Sequence, residues 1–273
     1  MEKTTVTEMI RNTFRHPNLW GCIVPMQVIG IWALYNIFSG HAPAWWWVAS
    51  IVGYVCLAML GISAGYHRLF CHRGYEVNTF TKRLLLLFAI LAGQGSPIYW
   101  IGIHGGYHHR YSDTDKDAHS PKHGFWHSYI LWMFKMKTMT IRPVAFLFRD
   151  PDMVFAHKYY IWILWGTNLL LALVSVDLWL YLLAFPAFVT LHSFLVQTSV
   201  THLKWAGYRN YEVKDDSVNV PWLFPFILGE AWHNNHHGDG RNPNYGRKWW
   251  EFDPTFHIIN LIRTDVKRTR KNQ

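Results

Sequence analysis

Histidines grouped in three short clusters are the residues of this chain whose type and spacing can do chemistry. Neutral imidazole is a good ligand for iron, copper, zinc and nickel. One catalytic metal needs only three or four protein ligands, so eight clustered imidazoles indicate two metal ions that share the set. Without a metal, eight closely spaced histidines out of the 17 in the chain have no task. They are His67 and His72, then His104, His108 and His109, and then His233, His236 and His237.

The spacing within the second and third clusters fits an α-helix. His104 and His108 lie four residues apart, which places both on one helix face. His236 and His237 follow His233 by three and four residues, so both join its face. We therefore expect each cluster to present its imidazoles from one side of a helix.

Two further histidines have open roles. His119 follows the acidic residues Asp113, Asp115 and Asp117, which could cap a helix, hold a group behind a metal ligand or be solvated. His192 lies inside an apolar stretch, where an ionisable side chain marks either a functional site or a hydrogen bond between helices.

The elements that position these clusters follow from where charge is missing. The chain is 51% hydrophobic and only 16% charged, whereas a soluble domain carries about a quarter charged residues. Residues 19–65 contain no Lys, Arg, Asp or Glu, and residues 159–203 contain only Asp177. A membrane crossing needs about 20 apolar residues, so each gap holds two. The sequence thus predicts crossings at 19–40, 44–65, 159–176 and 178–200, arranged in two hairpins, and excludes an ordinary soluble globule.

A hairpin returns the chain to its starting side, so all 26 Lys and Arg lie on one face of the membrane. By the positive-inside rule this face is cytoplasmic, and both termini and the histidine clusters lie there. We expect one domain, 1–273, with a helical cytoplasmic cap formed by 66–158 and 201–273. The net charge of +9 is explained by anionic headgroups, without nucleic acid. Leu84–Ala92 and Phe125–Phe134 are too short to span and are expected at the interface.

The three clusters, HxxxxH, HxxxHH and HxxHH in this order, resemble the histidine boxes of the membrane fatty-acid desaturases, a family of di-iron enzymes. The resemblance covers nearly the whole chain from about Gly61. The motifs resemble most those of the stearoyl-type (Δ9) enzymes of bacteria and cyanobacteria. The matching segments are 61–73 (GISAGYHRLFCHR), 100–113 (WIGIHGGYHHRYSD) and 229–237 (GEAWHNNHH), the last followed by 249–254 (WWEFDP).

Two positions depart from the pattern of this family. The family has a ninth histidine in an NxxxH motif, and His202 occupies that place while Thr198 stands where the Asn would be. The second box of stearoyl-type enzymes is usually HxxHH, and here it has one more residue. The resemblance therefore implies nine ligands for two iron ions, with a water-mediated contact of Thr198 in place of the asparagine.

The resemblance also implies a reaction. Two irons would activate O₂ with two electrons from an external donor such as ferredoxin, and a saturated acyl chain would gain a cis double bond at the ninth carbon. By position, Gln94 and Trp100 match residues that pack around the bend of the acyl tunnel. The far end of the tunnel is expected near Ile51 and Val55.

The carrier of the acyl chain is predicted from what the second box lacks. Animal acyl-CoA desaturases have Arg-Asp before this box and an Asn upstream, where this chain has Gly102-Ile103 and Gly95. An apolar lip favours an acyl-lipid over acyl-CoA or acyl-carrier protein. Alternatives are a di-iron hydroxylase, ketolase or terminal-alkene-forming relative, and outside enzymes a metal-binding transporter or sensor. A transporter should carry polar groups along its crossings, which are nearly absent here.

Overall fold

The structure is a computed structural model that describes residues 17–135 and 142–265. Within these ranges the regular elements are helices joined by loops, together with an isolated β-bridge between Tyr208 and Asn219. The main helices are α1 (Leu19–Phe38), α2 (Trp46–Cys71), α3 (Thr79–Leu91), α4 (Pro97–Ile101), α5 (Trp132–Lys135), α6 (Pro151–Val174), α7 (Val176–Val200), α8 (His233–Gly238) and α9 (Pro254–Ile262). Shorter turns are π-helical at Gly102–His108 and His127–Leu131, α-helical at His109–Tyr111 and Phe224–Ile227, and 3₁₀-helical at Pro121–His123, Arg142–Arg149, Lys204–Ala206, Pro221–Leu223 and Leu228–Ala231.

Three of the described helices are long and apolar enough to cross a membrane. These are α1, α2 and α7, with mean hydropathies of 1.5, 1.9 and 1.7. They overlap the predicted crossings 19–40, 44–65 and 178–200, and α2 continues beyond its predicted end to Cys71. Most of the predicted crossing 159–176 lies in α6, which is not one of the three. This helix begins earlier, at Pro151, and its first turns carry Asp152, His157 and Lys158.

Short turns join α1 to α2 and α6 to α7, as the charge gaps predict. After α1, Gly40 has a φ of +75°, a left-handed conformation that glycine adopts without strain. Between α6 and α7 the helix breaks at one residue, Ser175, which has extended backbone. The Oγ of Ser175 then accepts a hydrogen bond from the N–H of Leu178 at 3.3 Å, which caps the first turn of α7.

The helices that carry the histidines pack closely on one another. A Cβ at Gly61 of α2 would lie 2.7 Å from the backbone nitrogen of Ala89, so α3 approaches α2 at backbone distance. Leu85 and Leu86 are buried in the same cluster. One face of the stretch 84–92 therefore packs against α2, while Leu84 and Leu87 are 37% and 36% exposed. The segment around Phe125 and Trp126 is different, since these side chains are 42% and 66% exposed.

Candidate metal centre

Two π-helical segments, Val55–Cys71 within α2 and Gly102–His108, set the spacing of the first and second histidine clusters. The N–H of His72 donates to the carbonyl of His67, and the N–H of His109 donates to the carbonyl of His104. In both cases the acceptor lies five residues back, as in a π-helix. Residues i and i+5 therefore share a face, so His104 pairs with His109. The expected α-helical pairing of His104 with His108 is wrong, because the π-turn contains one residue more than an α-helical turn.

All nine candidate ligands come together and divide into two groups. The ligand atoms within each group lie within 4.8 Å of one another. The third cluster is also divided, since His236 belongs to one group while His233 and His237 belong to the other. The five-histidine group is His67, His72, His104, His109 and His236, and the four-histidine group is His108, His202, His233 and His237.

In the five-histidine group the Nε2 atoms converge on a common point. The Nε2 of His236 lies 3.1 Å from that of His67 and 2.8 Å from that of His109. The Nε2 of His109 lies 3.0 Å from that of His104. Ligand atoms that bind one ion at about 2.1 Å are about 3 Å apart, so these separations fit a shared cation.

The four-histidine group has the same character. The Nε2 atoms of His202 and His233 lie 3.1 Å apart. The Nε2 atoms of His108 and His237 are buried and have no hydrogen-bond partner among the described residues. Buried polar atoms are rarely left without a partner, and converging ring nitrogens without protons between them repel one another. Both observations are explained by a metal ion at the centre of each group.

Burial keeps most of these imidazoles in the neutral form that binds metal. Desolvation, and secondarily the neighbouring imidazoles, hold the pKa of His104, His109, His233 and His236 well below the ordinary value of 6.5. The pKa of His237 is lowered to about 4, mainly by burial. Burial also lowers the pKa of His108, but the carboxylates of Asp117, Asp113 and Asp215 together outweigh burial and raise it.

Carboxylates stand behind four of the nine histidines, on the ring nitrogen that faces away from the other ligands. In three of these pairs the Nδ1–oxygen distances are 3.0 Å for His108–Asp117, 2.9 Å for His202–Asp113 and 2.9 Å for His237–Asp215. Glu230 lies 3.0 Å from the Nδ1 of His67. In the three aspartate pairs the carboxylate accepts a hydrogen bond from Nδ1, which leaves Nε2 free and fixes the ring.

In the acidic run before His119, Asp113 and Asp117 are buried against histidine rings, whereas Asp115 is exposed. The sequence analysis missed Asp215 and Glu230. Glu230 lies within the quoted third-box segment, three residues before His233, and that position was the available signal. Nothing in the spacing of Asp215 points to the site. Burial alone raises the pKa of Glu230, but His67 and Arg68 beside it lower the value to about 2.

An apolar cavity ends against the histidines. Its polar end includes His67, His104 and His119, and its walls include Ile23, Leu191 and Leu195. Gln94, Trp100 and Thr198 also line it, so these three predicted residues are near the site. The Nε1 of Trp100 donates to the Oε1 of Gln94 at 3.0 Å. The hydroxyl of Thr198 donates to the carbonyl of Leu195 at 3.1 Å, within its own helix.

The structure does not bring Ile51 and Val55 to this cavity. They line a separate depression on the outside of α2, together with Trp47 and Phe185, and Ile51 is 57% exposed. The cavity beside the histidines is walled by α7 and by the segment around Trp132 rather than by the first half of α2. His192 forms a hydrogen bond between helices, which was one of its two expected roles. Its Nδ1 lies 2.6 Å from the hydroxyl of Tyr129.

Comparisons with known proteins agree with the geometry. The family model for fatty acid desaturases matches residues 43–260. The sn-1 stearoyl-lipid 9-desaturase of Anabaena variabilis is 36% identical over 230 residues, which cover 78% of this chain and 81% of that protein. The Delta-9 acyl-lipid desaturase 2 of Arabidopsis thaliana is 33% identical over 76% of this chain and 70% of its own length. The sn-2 palmitoyl-lipid 9-desaturase of Nostoc sp. (strain 36) is 33% identical, with coverages of 75% and 74%.

Proposed function

Because the chain belongs to the fatty acid desaturase family, we propose that this oxidoreductase introduces a cis double bond at the ninth carbon of a lipid-linked saturated acyl chain. The observation that carries the proposal is the apolar cavity that ends against His67 and His104 of the five-histidine group. The matched relatives are named as 9-desaturases of lipid-linked chains. Their names differ in glycerol position and chain length, so the proposal names only the carbon and the class of carrier.

We assign one iron ion to each histidine group. All nine residues would hold these ions through the ring nitrogens that converge within each group, mostly Nε2. Two iron ions held in this way would supply the O₂ activation and hydrogen abstraction that no side chain performs. Most of the imidazoles are buried and have lowered pKa values. Carboxylates fix the orientation of the rings that they contact, so the chain presents preorganised ligands without a large change on metal binding.

The cavity walls have the task of selecting one pair of methylenes. Every methylene of a saturated chain is chemically alike, so only its position relative to the histidines distinguishes it. The hydrogen-bonded pair of Trp100 and Gln94 fixes the wall beside His104, and the apolar residues of α7 keep water from the chain. We propose that Thr198 acts through a water molecule on the four-histidine side.

The class of acyl carrier is proposed from the residues that precede the second histidine box, of which Ile103 lines the cavity. Gly102 and Ile103 are buried, and neither supplies a charge for the phosphates of coenzyme A. Gly95 has a φ of +104°, and a Cβ there would lie 2.7 Å from the ring of Tyr99, so this position leaves no room for a polar side chain. Both features favour a glycerolipid from the bilayer over acyl-CoA or acyl-carrier protein.

The reaction needs a reductant. Removing two hydrogens from the chain while reducing O₂ to two water molecules balances only with two further electrons and two protons. We propose a separate acidic one-electron carrier, such as ferredoxin. It would dock where the three partly exposed histidines approach the surface, because each is followed closely by an exposed arginine. The pairs are His72 with Arg73, His109 with Arg110, and His237 with Arg241.

The three arginines belong to one region of the surface. The rings of His72 and His109 lie 4.6 Å apart, as do those of His109 and His237. A Cβ at Gly74 would lie 2.8 Å from the carbonyl oxygen of Arg241. The nearby acid Asp239 is partly neutralised by Arg247 at 3.3 Å. The region is therefore positive, which accelerates association with an acidic partner at low salt.

The docking proposal is tested with a purified acidic ferredoxin. Charge reversal of Arg73, Arg110 or Arg241 to Glu should weaken its binding and remove most of the salt dependence. Lys248→Glu is the matched control, because this exposed lysine lies over the rings of Tyr208 and Trp250 instead. Equal weakening in the control, or no effect in the arginine variants, would reject this docking region.

We propose that the chain is one domain with four crossings and that both termini and the histidine groups face the cytoplasm. α6 is the fourth crossing. It has 24 residues, a length of about 36 Å, and only Ser175 separates it from α7. Thiol labelling of single cysteines placed before α1 and in the turn between α6 and α7, in sealed vesicles, tests this arrangement. Labelling of both from the same side would contradict it.

The enzymatic proposal is tested by expression in a host without its own 9-desaturase. Lipids are separated by carrier, and double bonds are located by mass spectrometry. We expect a cis-monoene at the ninth carbon in the membrane-lipid fraction. It should be absent with His236→Ala and retained with His257→Ala, whose ring stacks on Phe252 outside both groups. A hydroxylated or carbonyl product would assign the chain to another reaction of the same metals, and a monoene confined to acyl-CoA would reject the lipid carrier.

A further inference from the structure

The two histidine groups differ in the charged side chains that lie next to the Nδ1 atoms of their histidines. Building on the proposed di-iron function, we infer that the ion in the four-histidine group is oxidised first. The one-electron-oxidised protein then carries its ferric ion in that group and its ferrous ion in the five-histidine group. The positioning residues that create this difference are Asp113, Asp117 and Asp215 on one side and Glu230 with Arg68 on the other.

Three of the four ligands on the four-histidine side have a carboxylate on Nδ1, at 2.9 to 3.0 Å. The fourth, His233, has the amide of Gln197 at 3.2 Å. The side chains of Asp113 and Asp117 are 3% and 0% exposed. Among the described residues no Lys or Arg forms an ion pair with any of the three aspartates. This side of the centre therefore holds three carboxylates without a direct counter-ion, two of them buried and the third, Asp215, 14% exposed.

The five-histidine side has less negative charge. Among its members, and within the described part of the chain, only His67 has a carboxylate within ion-pair distance. That carboxylate, Glu230, also pairs with the guanidinium of Arg68 at 2.9 Å. Arg68 in turn pairs with Asp253 at 2.6 Å, and all three side chains are almost fully buried. The positive charge of Arg68 thus offsets much of the effect of the carboxylates near this group.

Negative charge in a low-dielectric interior stabilises the ion of higher positive charge. A carboxylate that accepts the Nδ1 proton also makes the imidazole a stronger donor to the metal. Both effects act on three ligands in one group and on one in the other. The ferric state is therefore favoured in the four-histidine group, and an electron leaves that ion first when the di-ferrous protein is oxidised at an electrode.

The test uses purified protein loaded with ⁵⁷Fe²⁺, followed by electrochemical titration and Mössbauer spectroscopy. We expect two separate one-electron steps, with one ferric and one ferrous signal of equal size between them. In Asp215→Asn the first step should move to higher potential by at least a tenfold change in the redox equilibrium, or about 59 mV for one electron. The affinity of one iron should fall by about 10- to 100-fold, while the second iron is retained.

Three further variants distinguish an effect of charge from an effect of structure. Asp216→Asn removes the adjacent carboxylate, which pairs with Lys204 at 3.1 Å and whose side chain contacts no ligand, and it should leave both steps unchanged. Glu230→Gln should move only the second step. Asp215→Glu keeps the charge and should restore the potential of the first step to its wild-type value. A purely structural role of Asp215 would not predict this recovery.

Coincident steps in the wild-type protein would overturn the inference even if no variant folds. Equal movement of both steps in Asp215→Asn, or movement of the first step in Glu230→Gln, would do the same. Failure of the wild-type protein to bind two iron ions is a different result, because it rejects the proposed di-iron function itself.

Discussion

Arg68→Met is the substitution from which we expect the largest loss of stability outside the ligands. Arg68 is 1% exposed, and its guanidinium lies 2.9 Å from Glu230 and 2.6 Å from Asp253. The ring of Tyr245 lies 3.8 Å from the guanidinium carbon. Methionine has a similar length but no charge, so two buried carboxylates lose their counter-ion. Breaking a buried ion pair by removing one partner costs about 3–5 kcal/mol.

Burial is the physical reason for this magnitude, and the chain offers a matched control. Lys82 also bridges two carboxylates, at 2.9 Å from Asp150 and 2.8 Å from Asp152, but its side chain is 26% exposed. A solvated ion pair contributes about 0–1 kcal/mol. With about 2–4 °C per kcal/mol for a domain of this size, Arg68→Met should lower the melting temperature by about 6–20 °C and Lys82→Met by less than about 4 °C.

The assay is thermal unfolding of the purified protein in detergent, followed by the fraction that remains monodisperse after heating. Arg68→Met combined with Glu230→Gln should recover part of the loss in melting temperature. The second substitution removes one of the two carboxylates that have lost their counter-ion, and neighbouring sites couple. Similar losses in Arg68→Met and Lys82→Met would refute the reasoning. The same holds for a double variant that is less stable than either single variant.

Three further predictions concern pH, packing and metal. The pKa of Glu230 is about 2 in the folded protein against 4.5 ordinarily. Its ionised form therefore stabilises the fold above about pH 4.5 and ceases to do so toward pH 2, so the difference in melting temperature between wild type and Glu230→Gln should narrow across this window. Gly61→Ala should destabilise the protein, because the Cβ meets the backbone of α3 at 2.7 Å, whereas Gly166→Ala, with no atom within 4 Å, should be neutral or slightly stabilising. Adding Fe²⁺ to chelator-treated protein should raise the melting temperature, by an amount equivalent to about 2.7 kcal/mol at 100 times the dissociation constant.

The membrane helices could be predicted from charge patterning because the bilayer acts on composition over long stretches. Residues 19–65 give two helices that match their predicted crossings, and the break at Ser175 lies within the predicted turn. The difference at α6 has a local cause, since Asp150 and Pro151 start the helix before its apolar part. The packing of α3 against α2 was not predictable from hydropathy, because an apolar face looks the same whether it contacts lipid or protein.

The division of the histidines between two ions could not be predicted from spacing, because an α-helical repeat does not describe a π-turn. HxxxHH places its first and last histidines in one group only if five residues make the turn, and no residue type in Gly102–His108 demands that. The first and last histidines of each box belong to the same group. The group of a middle histidine depends on the backbone conformation between them.

The carboxylates behind the four-histidine group depend on one residue that ties two distant loops together. Asp113 has a φ of +59°, a left-handed conformation that aspartate tolerates better than most residues. From there its Oδ2 lies 2.9 Å from the Nδ1 of His202 and accepts the N–H of Asp216 at 2.7 Å. The second contact fixes the loop that carries Asp215, whose carboxylate reaches His237. A single turn after the second box thus orients one ligand directly and another through Asp215, which explains how three clusters far apart in sequence form one preorganised centre.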